Sequence, residues 1–178
     1  MRIKWDQYFY NICEEVSKNS KCLSRHIGSI LVRDNSIIST GYNGPPRKVP
    51  HCNERYNLDP ELRKMFTYRG ISPTKEQLSN ICPRYIAGFK SGEGLEYCIA
   101  GHSERNSLIN AARYGIATKG AKMYMNCQIP CTPCLVEIIG SGIEEIIVTG
   151  YKVYDVSSKY LLNNSNLKYR IFDHLKEK

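Results

Sequence analysis

A chain of 178 residues, 42% hydrophobic and 24% charged with a mean hydropathy of -0.42, has the size and composition of one globular domain, which excludes fibrous and disordered classes. No apolar run approaches the roughly 18 to 20 residues a bilayer needs, and acids interrupt the apolar N-terminal stretch, so a cytoplasmic protein without membrane span or secretory signal is expected. The net charge of +8 is dispersed, with 8 Lys/Arg against 4 Asp/Glu over residues 1–52, 7 against 6 over 53–97 and 10 against 7 over 98–178; such a field suits small anions such as phosphorylated metabolites as well as nucleic acid.

Trp5, Tyr8, Phe9, Ile12, Cys13 and Val16 recur at helical spacing, so residues 5–17 are predicted to form an amphipathic helix packed on a sheet. Ile27 to Val32 and Ile37 to Thr40 read as two strands of a hairpin turning at Asp34-Asn35, with Gly41-Tyr42-Asn43-Gly44-Pro45-Pro46 stopping the second. Residues 53–97 are polar and weakly periodic, punctuated by Pro60, Pro73, Pro83 and Ser91-Gly92-Glu93-Gly94, and read as an insertion into a single domain spanning 1–178. Helix and strand then alternate: a helix from His102 to about Arg113, a strand from Ala121 to Asn126, a helix from Cys131 to about Ile139, a strand from Ile143 to Thr149, a helix around Val156 to Leu162 and a short strand at Tyr169 to Phe172. The expected class is α/β, a mixed central sheet of about five strands with helices on both faces.

The chemistry concentrates in His102-Ser103-Glu104 and Pro130-Cys131-Thr132-Pro133-Cys134, each opening a predicted helix. One imidazole and two thiolates leave the fourth tetrahedral position of a zinc ion open, as a catalytic site requires. Helix N-termini favour thiolate over thiol, and Pro133 is tolerated in a first turn. Glu104 stands two residues after the histidine, where it can face a water molecule rather than compete as a ligand. Alone, Cys-x-x-Cys is often a redox pair or half of a structural zinc site, and His-x-Glu occurs by chance. Together and in this order they point to a catalytic zinc.

His-x-Glu followed by Pro-Cys-x-x-Cys is the signature of zinc-dependent nucleobase deaminases. With Cys22 and Arg25 before Ile27-Gly28, the run from Gly41 to Arg47, His51-Cys52, Cys82-Pro83-Arg84, Ser91-Gly92-Glu93-Gly94 and the run from Ala111 to Gly115, the chain resembles the deoxycytidylate (dCMP) deaminase family over residues from about 5 to 150. Ser103 departs from the alanine usual there. The resemblance implies a three-layer α/β/α cytidine-deaminase-like subunit in a homo-oligomer, a hexamer. It implies hydrolysis of dCMP to dUMP and ammonia for thymidylate synthesis, activation by dCTP, inhibition by dTTP, and Mg2+ accompanying the triphosphate. Carried over by position, His102, Cys131 and Cys134 resemble the zinc ligands and Glu104 the general acid/base. Asn43 resembles the asparagine that binds the deoxyribose hydroxyl, though Asn43-Gly44 alone reads as a turn. Gly41, Tyr42, Gly44, Arg47 and Arg113 are effector candidates, and Tyr124 is a candidate to face the base, although a tyrosine on a strand also reads as core. Cys22, Cys52, Cys82 and Cys98 lie in family-like segments; they are either a second, closed Zn2+ site, with His26 or His51 able to replace one of them, or small buried or free cysteines. Cys13 and Cys127 read as packing residues. The rivals are a tRNA or single-stranded nucleic-acid deaminase, which the dispersed charge disfavours, and a non-catalytic zinc-stabilised binding module, for which Glu104 would be useless.

Overall fold

The computed structural model describes residues 4–173. Contacts divide the chain into two units, one made of residues up to 20, 26–43 and from 102 onwards, the other of 21–25 and 44–101.

The first unit holds helix α1 (Trp5–Ser17), strands β1 (Gly28–Arg33) and β2 (Ser36–Tyr42), helix α6 (Ser103–Arg113), strand β3 (Lys122–Met125), helix α7 (Thr132–Gly140), strand β4 (Glu145–Val148), helix α8 (Val156–Asn164) and strand β5 (Lys168–Ile171). These strands form one sheet in the order β2-β1-β3-β4-β5. β1 is antiparallel to both β2 and β3, whereas β3–β4 and β4–β5 are parallel. The β1–β2 hairpin turns at Asp34 and Asn35, both at positive φ (52° and 56°), the backbone that a two-residue turn between right-twisted strands demands.

Strand side chains alternate between faces, and both faces of β1, β3 and β4 are covered, so these strands read as nearly continuous apolar runs. Ile30, Val32, Tyr124 and Ile147 meet Phe9 and Cys13 of α1 on one face. Leu31, Met123, Met125, Ile146 and Val148 meet Leu108 and Ala111 of α6, Cys134, Leu135 and Ile138 of α7, and Leu162 of α8 on the other. The mixed five-stranded sheet with helices on both faces is the expected architecture. Element ends differ from expectation by at most two residues: β2 extends past the β-branched run to Tyr42, while β4 is shorter than Ile143–Thr149 because Gly142 and Ile143 hydrogen-bond back to Ile139 and Ile138 at the end of α7.

The second unit is more ordered than its weak periodicity implied. It contains α2 (Cys52–Leu58), α3 (Pro60–Tyr68), α4 (Lys75–Asn80), α5 (Pro83–Ile86) and a 3-10 turn at Leu95–Tyr97, around a small core of Leu62, Met65, Phe66 and Ala87. Its arginines do much of the holding. Arg55 donates to the Tyr97 carbonyl, Arg63 to those of Tyr56 and Asn57, Arg69 to that of Ala87, and the buried Arg84 to that of Glu93. Short helices expose many terminal carbonyls for the length of backbone they order, and charged donors satisfy several of them here. The unit begins earlier than residue 53, ends later than 97 and takes in 21–25.

Candidate active site and metal centre

Helices α6 and α7 each begin on a residue with ligating chemistry. His102 is the extended N-cap residue of α6 and Cys131 that of α7, while Cys134 lies one turn into α7. The close approach of α6 to the hairpin comes from small residues: Ser29 and Ser39 donate to the Ser103 and Ser107 carbonyls, at 2.8 and 2.7 Å. Gly41 lies directly beneath the helix backbone; a Cβ there would stand 2.3 Å from Ser107 N and 2.5 Å from Ser103 O. Asn106 and Asn110 reach back to the carbonyls of Tyr42 and Thr40, both at 2.8 Å. The bidentate pair of Arg105 with Glu137, at 2.8 and 3.0 Å, ties α6 to α7.

These supports converge three donor atoms. Cys131 Sγ and Cys134 Sγ lie 3.4 and 3.3 Å from His102 Nδ1 and 3.6 Å from each other. Tetrahedral zinc with ordinary bond lengths separates its sulfur ligands by about 3.8 Å and sulfur from nitrogen by about 3.6 Å, so the donor set fits zinc with Nδ1 as the histidine ligand. Among the described residues this is the group of three or more potential ligands whose donor atoms all lie within 4.8 Å of one another. Two thiols so close hold a proton between them: the hydrogen bond with Cys134, supported by His102 and opposed by burial, brings Cys131 down to about 4, and the same contact pushes Cys134 upward. A divalent cation held by His102, Cys131 and Cys134 would take the place of that proton and let both thiols ionise. His102 is raised, first by its contact with Cys131.

Glu104 is buried in the first turn of α6, and its Oε2 accepts a hydrogen bond of 2.9 Å from the fully buried Ser103 hydroxyl. Its charge is felt at both His102 and Cys134. A buried carboxylate beside a metal donor set, held through one oxygen, is arranged for proton transfer rather than ligation.

Other candidates fall in different places. Asn43 is buried at the end of the first unit's hairpin; its Oδ1 accepts from Ile27 N at 2.8 Å and its own carbonyl accepts from Ser20 Oγ at 2.7 Å, which fixes the amide's orientation. Tyr42 is exposed, and so is Arg47, which belongs to the second unit together with Gly44. Gly44 pairs by both N–H and C=O with Gly101. Gly41 has a packing task, since α6 fills the space a side chain would take. Arg113 ends α6, about 14 Å along the helix axis from Glu104. Tyr124 is a correction. Alternation along β3 sends it to the α1 face, against Phe9, with its hydroxyl donating to Asp6 at 2.9 Å, while α6 and α7 cover the opposite face.

The four remaining family-like cysteines all belong to the second unit. Burial and then the neighbouring Cys82, Cys22 and Cys98 push the Cys52 thiol up to about 11, so those three lie within electrostatic reach of Cys52, though without the tight donor spacing of the first cluster. His26 belongs to the first unit and His51 to the second. Cys13 is fully buried between α1 and β1, as its place on the apolar stripe implied.

A mixed sheet that brings a His-Cys-Cys donor set and a buried carboxylate to two helix N-termini is the arrangement that the His-x-Glu and Pro-Cys-x-x-Cys signature of zinc-dependent nucleobase deaminases describes. Residues 3–150 match the family described as the cytidine and deoxycytidylate deaminase zinc-binding region, and the chain belongs to that family. It is 31% identical over 170 residues to the deoxycytidylate deaminase of Schizosaccharomyces pombe, covering 95% of this chain and 44% of that protein. With the deoxycytidylate deaminase of Saccharomyces cerevisiae it is 28% identical over 177 residues, 99% of this chain and 47% of the relative. The chain therefore spans about half the length of these curated relatives. A crystal structure of dCMP deaminase from the cyanophage S-TIM5 in complex with dCMP and dUMP shares the fold, with a TM-score of 0.65, 16% identity, and coverage of 97% of this chain and 99% of that one. No helix among the described residues is long and apolar enough to cross a membrane.

Proposed function

We propose that the chain is one deaminase domain, 1–178, that converts dCMP to dUMP and ammonia, with His102, Cys131 and Cys134 holding a catalytic zinc ion. The observation that carries the reading is the convergence of His102 Nδ1 and the two sulfurs at 3.3–3.6 Å beside the buried Glu104. When bound, zinc supplies the Lewis acidity that makes water a competent nucleophile at neutral pH. Glu104 takes a proton from the attacking water as its oxygen adds to C4 of the cytosine and passes it to N3; it then takes the second proton from the new C4 hydroxyl and hands it to the exocyclic amino group, so that ammonia leaves as the C4 carbonyl forms. Ser103 holds Oε2 so that Oε1 performs these transfers. Asn43, its amide oriented by Ile27, is the candidate for the deoxyribose hydroxyl.

The substrate assignment is supported by the deoxycytidylate deaminases among the relatives and by the dCMP and dUMP complex of the cyanophage enzyme. By resemblance, the reading extends to a cytoplasmic hexamer regulated by dCTP or dTTP with its Mg2+, for which Gly41, Tyr42, Gly44, Arg47 and Arg113 are the individual effector candidates, and to a second Zn2+ on Cys22, Cys52, Cys82 and Cys98. Ammonia release from purified protein offered dCMP, cytidine, dCTP or a cytosine-containing oligonucleotide tests the function. Turnover of dCMP, raised by dCTP and quenched by dTTP, is expected; turnover of the oligonucleotide alone would move the protein to nucleic-acid deamination. Glu104→Ala should keep its zinc and lose about 10²- to 10⁴-fold in turnover, and undiminished deamination would remove it from the mechanism. Metal analysis should find two zinc ions per chain, one in Cys131→Ala, and one in a Cys52→Ser/Cys82→Ser double variant; a single ion unaffected by the double variant would make those four cysteines packing residues.

A further inference from the structure

The turn that carries Cys131 is gripped from a segment outside the span matched by the family model, and nothing in the chemistry above uses that grip. Asp155, the N-cap of α8, accepts at Oδ1 from both Ser158 N at 2.7 Å and the Thr132 hydroxyl at 2.5 Å, and at Oδ2 from Thr132 N at 3.3 Å. The Ser158 hydroxyl, fully buried, lies 3.2 Å from Thr132 Oγ1 and donates to the Pro130 carbonyl at 3.3 Å. The residues on both sides of Cys131 are thus fastened to the first turn of α8.

That fastening opposes a local preference. Thr132 is β-branched and precedes Pro133, and a residue before proline is disfavoured in the helical region, yet Thr132 is the first residue of α7. Left to itself, the Pro130–Pro133 segment would favour extended backbone, which would swing the Cys131 sulfur away from His102 and Cys134. The Asp155 carboxylate satisfies an otherwise unpaired first-turn N–H and fixes the threonine rotamer at once.

We infer that Asp155, with Thr132 and Ser158, is a positioning residue for the metal centre, holding the Cys131 turn in ligating geometry through α8. The inference rests on the reading of His102, Cys131 and Cys134 as zinc ligands. Hydrogen-bonded partners of this kind beyond the ligands typically change metal affinity or activity by about 10- to 100-fold when removed.

The test is the rate at which purified, zinc-loaded protein surrenders metal to a chromogenic chelator, the relevant pool being the one absent from Cys131→Ala. Thr132→Val, which keeps the shape and removes the hydroxyl, and Asp155→Ala should release that pool about 10-fold faster or more. Thr132→Ser should restore wild-type release, and kcat should fall in Thr132→Val with KM nearly unchanged. Leu162→Ala, which removes a buried α8 side chain one turn beyond Ser158 that takes no part in the clamp's hydrogen bonds, is the control for general loosening. Wild-type release from Thr132→Val, or equal acceleration in Leu162→Ala, overturns the inference. Should Asp155→Ala fail to fold, the Thr132 pair alone decides. Wild-type protein whose metal content matches that of Cys131→Ala would instead overturn the ligand assignment, a distinct outcome.

Discussion

Glu104 and Ser103 show how much a single hydroxyl can matter where water is excluded. A hydrogen bond to a buried carboxylate is worth about 1.5–3 kcal/mol, more than one between neutral groups, and here it also decides which carboxylate oxygen faces outward. Ser103→Ala is accordingly expected to lower kcat about 3- to 10-fold while leaving KM and zinc content unchanged; steady-state kinetics with metal analysis checks this, and an unaltered kcat would show that packing alone orients Glu104. At this scale the sequence was most informative about the site. His102, Glu104, Cys131 and Cys134 sit in two short motifs whose spacing survives any folding detail. Ser103 looked like a neutral departure, because whether its hydroxyl turns to Glu104 depends on a rotamer that only the packed helix end selects. Tyr124 was misplaced for a related reason. Its alternation with Met123 and Met125 shows that it faces away from them, but not which face of the sheet α6 and α7 cover.

Among the elements, α6 depends most on what lies beneath it. Gly41 lets the helix backbone settle onto β2, and the bonds from Ser29, Ser39, Asn106 and Asn110 fasten it there. Gly41→Ala would press a methyl group against the main chain of Ser103 and Ser107, atoms that cannot swing aside. We expect it to cost about 1–3 kcal/mol in denaturant unfolding, and to reduce turnover by about 10²-fold as Glu104 is displaced by a fraction of its reach. A variant of undiminished stability and activity would show that α6 has slack at this crossing. The hairpin and the alternating helices and strands of the first unit were legible because apolar periodicity marks them strongly. The helices of the second unit were not. They are 4–9 residues long, only α3 among them carries a periodic buried face, at Leu62, Met65 and Phe66, and arginine-to-carbonyl bonds support them beside apolar burial. The Asp59-Pro60 start of α3 and the Thr74–Gln77 capping box of α4 were signals available in the sequence.

Across the whole chain, Arg170 of β5 joins the two sequence extremes of the first unit: it pairs with Asp6 of α1 at 2.5 and 2.7 Å and with Glu145 of β4 at 3.0 Å, while Tyr124 donates to the same Asp6. The Arg170 guanidinium, aided by the Tyr124 hydroxyl and opposed by partial burial, holds the Asp6 carboxyl below its ordinary value. A carboxyl depressed in the folded state stabilises the fold above its unfolded value, and that contribution disappears as pH falls through the folded one. Asp6→Asn should therefore lower the melting temperature at neutral pH and flatten its decline below pH about 4; a variant whose acid decline parallels the wild type would assign that decline to other carboxylates. The separation of β1 from its neighbour β3 has a kinetic consequence. Ser29 must find Met125 across everything between them, and the entropy of closing so long a loop opposes that pairing. The intervening chain contains residues 44–101, the larger part of the second unit, with its own small core. Once residues 44–101 have condensed, the freely jointed length is much reduced, and each halving lowers the closure cost by about 0.6 kcal/mol. The insertion acts as a brace that shortens the search, so pulsed hydrogen exchange should find the amides of α3 protected before those of β3, and the two ligand-bearing helix starts should come together last.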